Sequence, residues 1–236
     1  MDRLDKLIAA SGKATRSEAK IWIRSGRVTV NGAPALSPAQ KCDAAADAIA
    51  VDGIALDHAE HRYIMMHKPA GVLSATEDKE QRTVLDLLPE ELRRQGLFPV
   101  GRLDKDVTGL LILTNDGALA HALTAPKRHV PKTYRATVDG VLDASDAAAF
   151  AEGLVLADGT CCLPAELELI APDTARVTVY EGKYHQVKRM FAARGKPVTA
   201  LHRERMGGLA LDGSLPPGGW RALKREDIVK MTESYQ

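Results

Sequence analysis

The sequence predicts an α/β chain of the α+β kind: a small helix-pair domain, then a larger domain on a mixed, largely antiparallel sheet. Three observations carry this. At 236 residues the chain is long for one ordinary domain and short for three. Apolar residues recur at helical spacing near the N-terminus and at strand spacing from residue 63 onward. The polar stretch Asp57-His58-Ala59-Glu60-His61 reads as a linker, which places the domains at residues 1–60 and 61–236.

Each element has its own signal. Leu4, Leu7 and Ile8 fall at i, i+3, i+4, and Ala19, Trp22 and Ile23 repeat that spacing after a Thr15 or Ser17 cap. Two short amphipathic helices over residues 3–24 follow. Arg27-Val28-Thr29-Val30 alternates into Asn31-Gly32, the strongest short hairpin signal, and Ile49-Ala50-Val51 runs into the turn Asp52-Gly53. Tyr63-Ile64-Met65-Met66 reads as a strand stopped by His67-Lys68-Pro69-Ala70-Gly71. Leu110-Leu111-Ile112-Leu113 reads as a buried strand ended by Asn115-Asp116-Gly117. Residues 134–138 and 175–179 alternate as strands, and residues 144–153 and 185–194 pattern as helices.

Composition excludes several classes. Apolar residues at 45% and charged residues at 27% are those of a globular chain, not a disordered or collagen-like one. Aromatic residues make up only 4%, too few for rows of rings that stack on bases. Cys42, Cys161 and Cys162 form no C-x-x-C pair, which argues against a disulfide framework or zinc site. The N-terminus lacks an apolar signal region and no apolar run reaches spanning length, so a soluble, cytoplasmic protein without membrane contact is expected.

The net charge of +1 announces no polyanionic partner, yet charge is segregated along the chain. Residues 1–41 hold eight bases against three acids, residues 121–135 four bases and no acid, and residues 180–205 seven bases against two acids. Residues 42–60 and 139–175 carry five and eight acids and no base. Charge runs are most often solvated faces; three basic segments offset by acid elsewhere also suit a phosphate-binding surface.

Two constellations could carry chemistry. Gly101-Arg102-Leu103-Asp104-Lys105-Asp106-Val107-Thr108-Gly109 sets two carboxylates between glycines just before a buried strand. As a calcium loop it fails at its twelfth position, Asn115; as a glycosidase pair, Asp104 and Asp106 have only local spacing in support; as structure, it is a capped turn. The second is Gly182-Lys183-Tyr184-His185-Gln186-Val187-Lys188-Arg189-Met190, where His185 and Lys188 share a helix face, followed by Leu201-His202-Arg203-Glu204-Arg205. Patterns for P-loop, serine hydrolase, dinucleotide and zinc deaminase chemistry are absent.

In combination these stretches resemble a known family. Gly101-Arg102-Leu103-Asp104 followed by Thr108-Gly109-Leu110-Leu111 and Thr114-Asn115-Asp116-Gly117, then Lys132-Thr133-Tyr134, then Glu181 to Met190, is similar to the RsuA/RluB family of pseudouridine synthases. His67-Lys68-Pro69-Ala70-Gly71 is similar to that family's Asn-Lys-Pro-x-Gly segment, with His for Asn, and residues 1–60 resemble an S4 RNA-binding domain. Tyr184-His185-Gln186-Val187-Lys188 and Leu201-His202-Arg203-Glu204-Arg205 resemble the small-subunit branch of the family, which implies uridine 516 of 16S ribosomal RNA as target.

The resemblance implies a cofactor-free isomerase acting on ribosomal RNA of the small-subunit precursor; nothing in the sequence demands an oligomer, so a monomer is expected. Asp104 would attack C1′ or remove a ribose proton, Lys188 would hold it ionised, and Tyr134 would close on the uracil. Arg102, His185 and Gln186 would contact the flipped-out nucleotide and its backbone. Arg3, Lys6, Arg16, Lys20, Arg24 and Arg27 would grip phosphates. Asp106 is assigned to the loop. The alternatives are a large-subunit (23S) synthase of the same family and a non-catalytic, S4-type assembly factor.

Overall fold

A computed structural model describes residues 1–56 and 61–232; the expected linker at 57–60 lies outside the described residues. The chain divides into two compact units, Met1–Arg62 with Leu88–Leu97, and Tyr63–Leu87 with Phe98–Gln236.

In the first unit, β1 (Asp2–Arg3) leads into α1 (Leu4–Ala10), and α2 (Arg16–Arg24) follows. Thr15 opens α2: its hydroxyl accepts from the Glu18 amide at 3.2 Å, and the Glu18 carboxylate accepts from the Thr15 amide at 2.6 Å. Such a reciprocal cap contributes about 1 kcal/mol. β2 (Val28–Val30) pairs with β3 (Ala33–Pro34) through Asn31 and Gly32, whose φ values of 52° and 80° are what a two-residue hairpin turn demands. β4 (Lys41–Cys42) pairs with β1, and β5 (Ile49–Val51) and β6 (Ile54–Ala55) complete the sheet β3-β2-β5-β6. The helices and sheet bury Leu4, Leu7, Ile8, Ile23, Val28 and Ile49 together.

Residues 88–97, which the sequence placed within the larger domain, group instead with this unit. The Gln95 amide donates to Ser11 O at 2.7 Å, and α3 (Glu90–Arg93) passes so close to Gly12 that a Cβ there would lie 1.9 Å from Glu91 O. With φ at +79° as well, only glycine fits at position 12.

The second unit is built on a sheet of nine strands among the described residues. β7 (Tyr63–Lys68), β8 (Phe98–Pro99), β9 (Thr108–Thr114), β10 (Lys132–Val138), β11 (Glu166–Ala171), β12 (Thr174–Val179), β13 (Val198–Met206), β14 (Leu209–Ala210) and β15 (Trp220–Ala222) supply it. The order is β11-β12-β10-β13-β9-β7-β15, with β14 on β13 and β8 on β9. Every pairing is antiparallel except β13 with β9, which agrees with the mixed, largely antiparallel sheet expected. Leu110 to Leu113 on β9 are fully buried, the centre of the core.

Four details differ from the sequence expectations. β7 runs two residues further, through His67 and Lys68. Asp116 ends β9 but also caps α4 (Gly117–Thr124), accepting from the Leu119 amide at 3.0 Å. Asp146, in α5 (Ala144–Glu152), is fully buried rather than part of a solvated acidic run; Arg194 at 3.0 Å and Lys196 pair with it. His185 precedes α6 (Gln186–Ala193) in the left-handed region at φ 48°, because the turn before the helix reverses there. The last helix is α7 (Arg225–Thr232).

Candidate active site

A cavity of about 720 Å³ opens in the second unit where the loop 101–107, the turn 181–185 and strands β10 and β13 converge. That volume falls within the range of small-molecule sites, roughly 300–1,000 Å³. Asp104, Tyr134 and Lys188 all line it, from three separate parts of the chain.

Asp104 is held from below by its own loop. The Ser74 hydroxyl donates to Leu103 O at 2.8 Å and accepts from the Leu103 amide at 3.0 Å, so the residue before Asp104 has both backbone groups fixed. Lys68, fully buried, donates from Nζ to Pro69 O at 3.0 Å, Lys105 O at 3.2 Å and Val107 O at 2.8 Å. The Gly71 amide donates to Lys105 O at 2.8 Å. The Lys68-Pro69-Ala70-Gly71 segment is therefore the clamp of the Asp104 loop. Burial drives the Lys68 pKa down to about 8, against the opposing pull of Asp106 and Asp104.

On β9 the loop ends at Gly109, which lies in register with Arg203 of β13. Its φ is +110°, and a Cβ there would lie 2.3 Å from Arg203 O. Glycine at 109 is what lets the one parallel pairing form directly behind the loop.

Around the carboxylate, Lys188 Nζ lies 3.1 Å from Asp104 Oδ2 and His185 Nε2 lies 3.4 Å from Oδ1. Lys188 also donates to both oxygens of Asp106, at 2.7 and 2.9 Å. Asp106 is thus more than a loop residue, contrary to the role expected of it. The Lys188 hydrogen bond holds the Asp106 carboxyl below its ordinary range. Burial pulls the Lys188 ammonium down, but Asp106 and Asp104 outweigh it and raise its pKa.

His185 stacks on Tyr184 at 3.8 Å between ring centroids, and Tyr184 stands 76% exposed beside it. Arg102 is exposed at the rim. Gln186, expected at the RNA, is turned inward instead: its side chain donates to Glu181 Oε1 at 2.9 Å and accepts from the Lys183 amide at 2.9 Å. It braces the turn that presents His185. His67 is not part of the cavity lining; its Nδ1 lies 2.8 Å from Leu215 O and its ring meets His202 edge-on.

Two of the three basic segments meet here, through Lys132 from one and Lys183, Lys188 and Arg203 from the other. In the first unit, Arg3 and Arg16 converge on buried Asp5 at 2.9 and 3.4 Å, Lys6 pairs with Asp2, and Arg27 pairs with Asp52 while covering the Trp22 ring. Among the described residues, Lys20 and Arg24 make no ion pair.

Sequence reasoning missed Lys68, Ser74 and Arg203. The first and Arg203 lay within noted motifs but were given no role, and Ser74 had no local signal. Among the described residues, no group of three His, Cys, Asp or Glu side chains could hold a metal ion, and no helix is long and apolar enough to cross a membrane.

Comparison with known proteins points the same way. A profile of the RNA pseudouridylate synthase family matches residues 62–193, and one of the S4 domain matches residues 2–49. The chain is 44% identical over 236 residues to an uncharacterized RNA pseudouridine synthase of Bacillus subtilis, covering 98% of each chain. It is 43% identical to ribosomal small subunit pseudouridine synthase A of Escherichia coli, covering 97% of this chain and 99% of that protein. A crystal structure of a pseudouridylate synthase superposes with a TM-score of 0.70 at 38% identity, covering 98% of this chain and all of the other.

Proposed function

The chain belongs to the RNA pseudouridylate synthase family, which are isomerases acting on RNA, and from that premise we propose that it converts uridine 516 of 16S ribosomal RNA into pseudouridine. It does so as a cytoplasmic monomer on the small-subunit precursor. The observation that carries the reading is the Asp104 carboxylate held between Lys188 and His185 in a cavity of about 720 Å³. The 43% identity to a small-subunit enzyme over nearly the whole chain supports the choice of RNA.

The reaction breaks the C1′–N1 bond, turns the freed uracil and joins C5 to C1′. One proton leaves C5 and one arrives at N1, so no atom is gained or lost. Asp104 starts cleavage by attacking C1′ or by removing a ribose proton; both need it ionised, and Lys188 favours that form. Tyr134, on β10, packs against the uracil and assists removal of the C5 proton. Arg102 and the stacked Tyr184–His185 pair receive the flipped nucleotide at the rim. Lys20 and Arg24 of α2 meet RNA phosphates.

Mapping pseudouridine in both ribosomal RNAs from cells lacking the protein tests this. Loss of one pseudouridine in the 16S RNA, with the 23S RNA intact, is expected. Loss only in the 23S RNA would assign the large-subunit target, and loss in neither would favour a non-catalytic binder.

A further inference from the structure

Arg203 is a buried cation with unused bonding capacity. It is 1% exposed, its Nε donates to Leu110 O at 2.8 Å, and its Nη2 is buried with no hydrogen-bond partner among the described residues. A buried, unsatisfied donor of a charged group is costly, and such a group calls for an explanation. Arg203 lines the same cavity as Asp104, on the parallel-paired segment of β13 that Gly109 admits. Lys132 also lines it, and its Nζ donates to Val130 O at 3.0 Å, which leaves two donors over. The nearby carboxylate, Glu181, is engaged by Lys183, Gln186 and the Leu163 amide.

Nη2 itself is closed to solvent, so depth limits what could meet the part of Arg203 that lines the cavity. A phosphate stays on the solvent side of the sugar it links, whereas an extruded base enters a pocket. Guanidinium only donates, so its partner is an acceptor, and uracil presents two carbonyl oxygens. We propose that Arg203, with Lys132 beside it, binds the carbonyl edge of the uracil and holds the negative charge the ring acquires when the C1′–N1 bond breaks. This rests on the isomerase reading above.

In that step the bonding pair moves to N1 and the charge spreads over N1, O2 and O4. Arginine stays protonated throughout, so it contributes charge and donors but moves no proton. When C5 bonds to C1′ the ring becomes neutral, and the proton it then loses from C5 is matched by one gained at N1. An interaction stronger with the ring anion than with bound uridine accelerates the reaction.

The test compares wild type, Arg203→Met, Arg203→Lys and Lys132→Met on three matched RNAs carrying uridine, 2-thiouridine or 4-thiouridine at the target. Single-turnover rate and RNA Kd are measured on each. Sulfur is the weaker acceptor, and a thio ring bears its own charge better, so the need for Arg203 falls. On uridine RNA, Arg203→Met should slow turnover on the order of 10²- to 10³-fold, with Kd within about threefold. On at least one thio RNA that penalty should shrink by about tenfold or more. Arg203→Lys should recover part of the rate, and Lys132→Met, whose side chain is less buried, should show the same contrast on a smaller scale. If Arg203→Met does not fold, the Lys132→Met contrast decides. Equal penalties on all three RNAs, or a loss confined to affinity, would overturn the proposal while the isomerase reading stands. A wild type that forms no pseudouridine would overturn both.

Discussion

The Lys188 ammonium stands 2.7 and 2.9 Å from the two oxygens of Asp106, closer than its 3.1 Å approach to Asp104. The two carboxylates are not equivalent. The Asp106 side chain is 73% exposed and that of Asp104 28%, so water screens the first pair and leaves the second stronger per contact. Asp106→Asn should therefore lower kcat less than about tenfold, whereas Lys188→Met should cost on the order of 10²-fold or more. Steady-state kinetics on 16S fragments distinguish them, and equal losses would show that the shorter contact is also the functional one.

Lys68 ties together three backbone carbonyls, two of them of the lining residues Lys105 and Val107, without itself lining the cavity. Lys68→Met removes the donor shared by Pro69 O and Val107 O and leaves Lys105 O to the Gly71 amide, at about 1–3 kcal/mol in stability, and kcat should fall more than RNA affinity. The pH dependence has a definite sign. Folded Lys68 gives up its proton near pH 8, but the unfolded chain keeps it to about 10.5. The unfolded state thus binds more protons between these values, and this group's contribution to stability rises with pH across that window. Thermal midpoints of wild type and Lys68→Met should converge or diverge accordingly, with the wild type gaining relative to the variant from pH 8 to 10; a constant gap would contradict the assignment.

Asp5 does the opposite in acid. The Arg3 hydrogen bond, opposed by burial and joined by Arg16, holds its carboxyl at about 2 against an ordinary value of 3.8. Its contribution is complete above pH 4 and is lost as pH falls toward 2. Asp5→Asn should destabilise the first unit at neutral pH and flatten its acid unfolding between pH 4 and 2. Wild type and variant that respond alike to acid would refute this.

RNA affinity should fall steeply with salt. Lys20→Ala and Arg24→Ala should each reduce the slope of log K against log salt by about one, uniformly across RNA sequences. Arg3→Ala should act mainly through stability, because Arg3 is already committed to Asp5. Slopes unchanged in both α2 variants would place the phosphate contacts elsewhere.

Local signals carried much of the fold. Leu4, Leu7 and Ile8 announced α1, Thr15, one of two caps the sequence offered, announced the start of α2, and Asn31-Gly32 announced the hairpin, because each depends on residues within one turn of chain. The resemblance placed Asp104, Tyr134 and Lys188 together, and the fold puts all three on one cavity. What escaped was long-range. Ser74 meets Leu103 across 29 residues, Lys68 meets Val107 across 39, and Lys188 meets Asp106 across 82. The net charge of +1 was similarly uninformative, because Arg194 and Lys196 neutralise Asp146 within the fold while Lys132, Lys188 and Arg203 gather at the cavity.

The most direct test uses purified wild type and Asp104→Asn with 16S RNA, reading pseudouridine formed and RNA Kd in the same samples. Asn keeps the shape of Asp104 and removes its charge. Pseudouridine at the single expected uridine with wild type, none with Asp104→Asn, and Kd values within about threefold are predicted. Pseudouridine formed by Asp104→Asn at an undiminished rate would contradict the account.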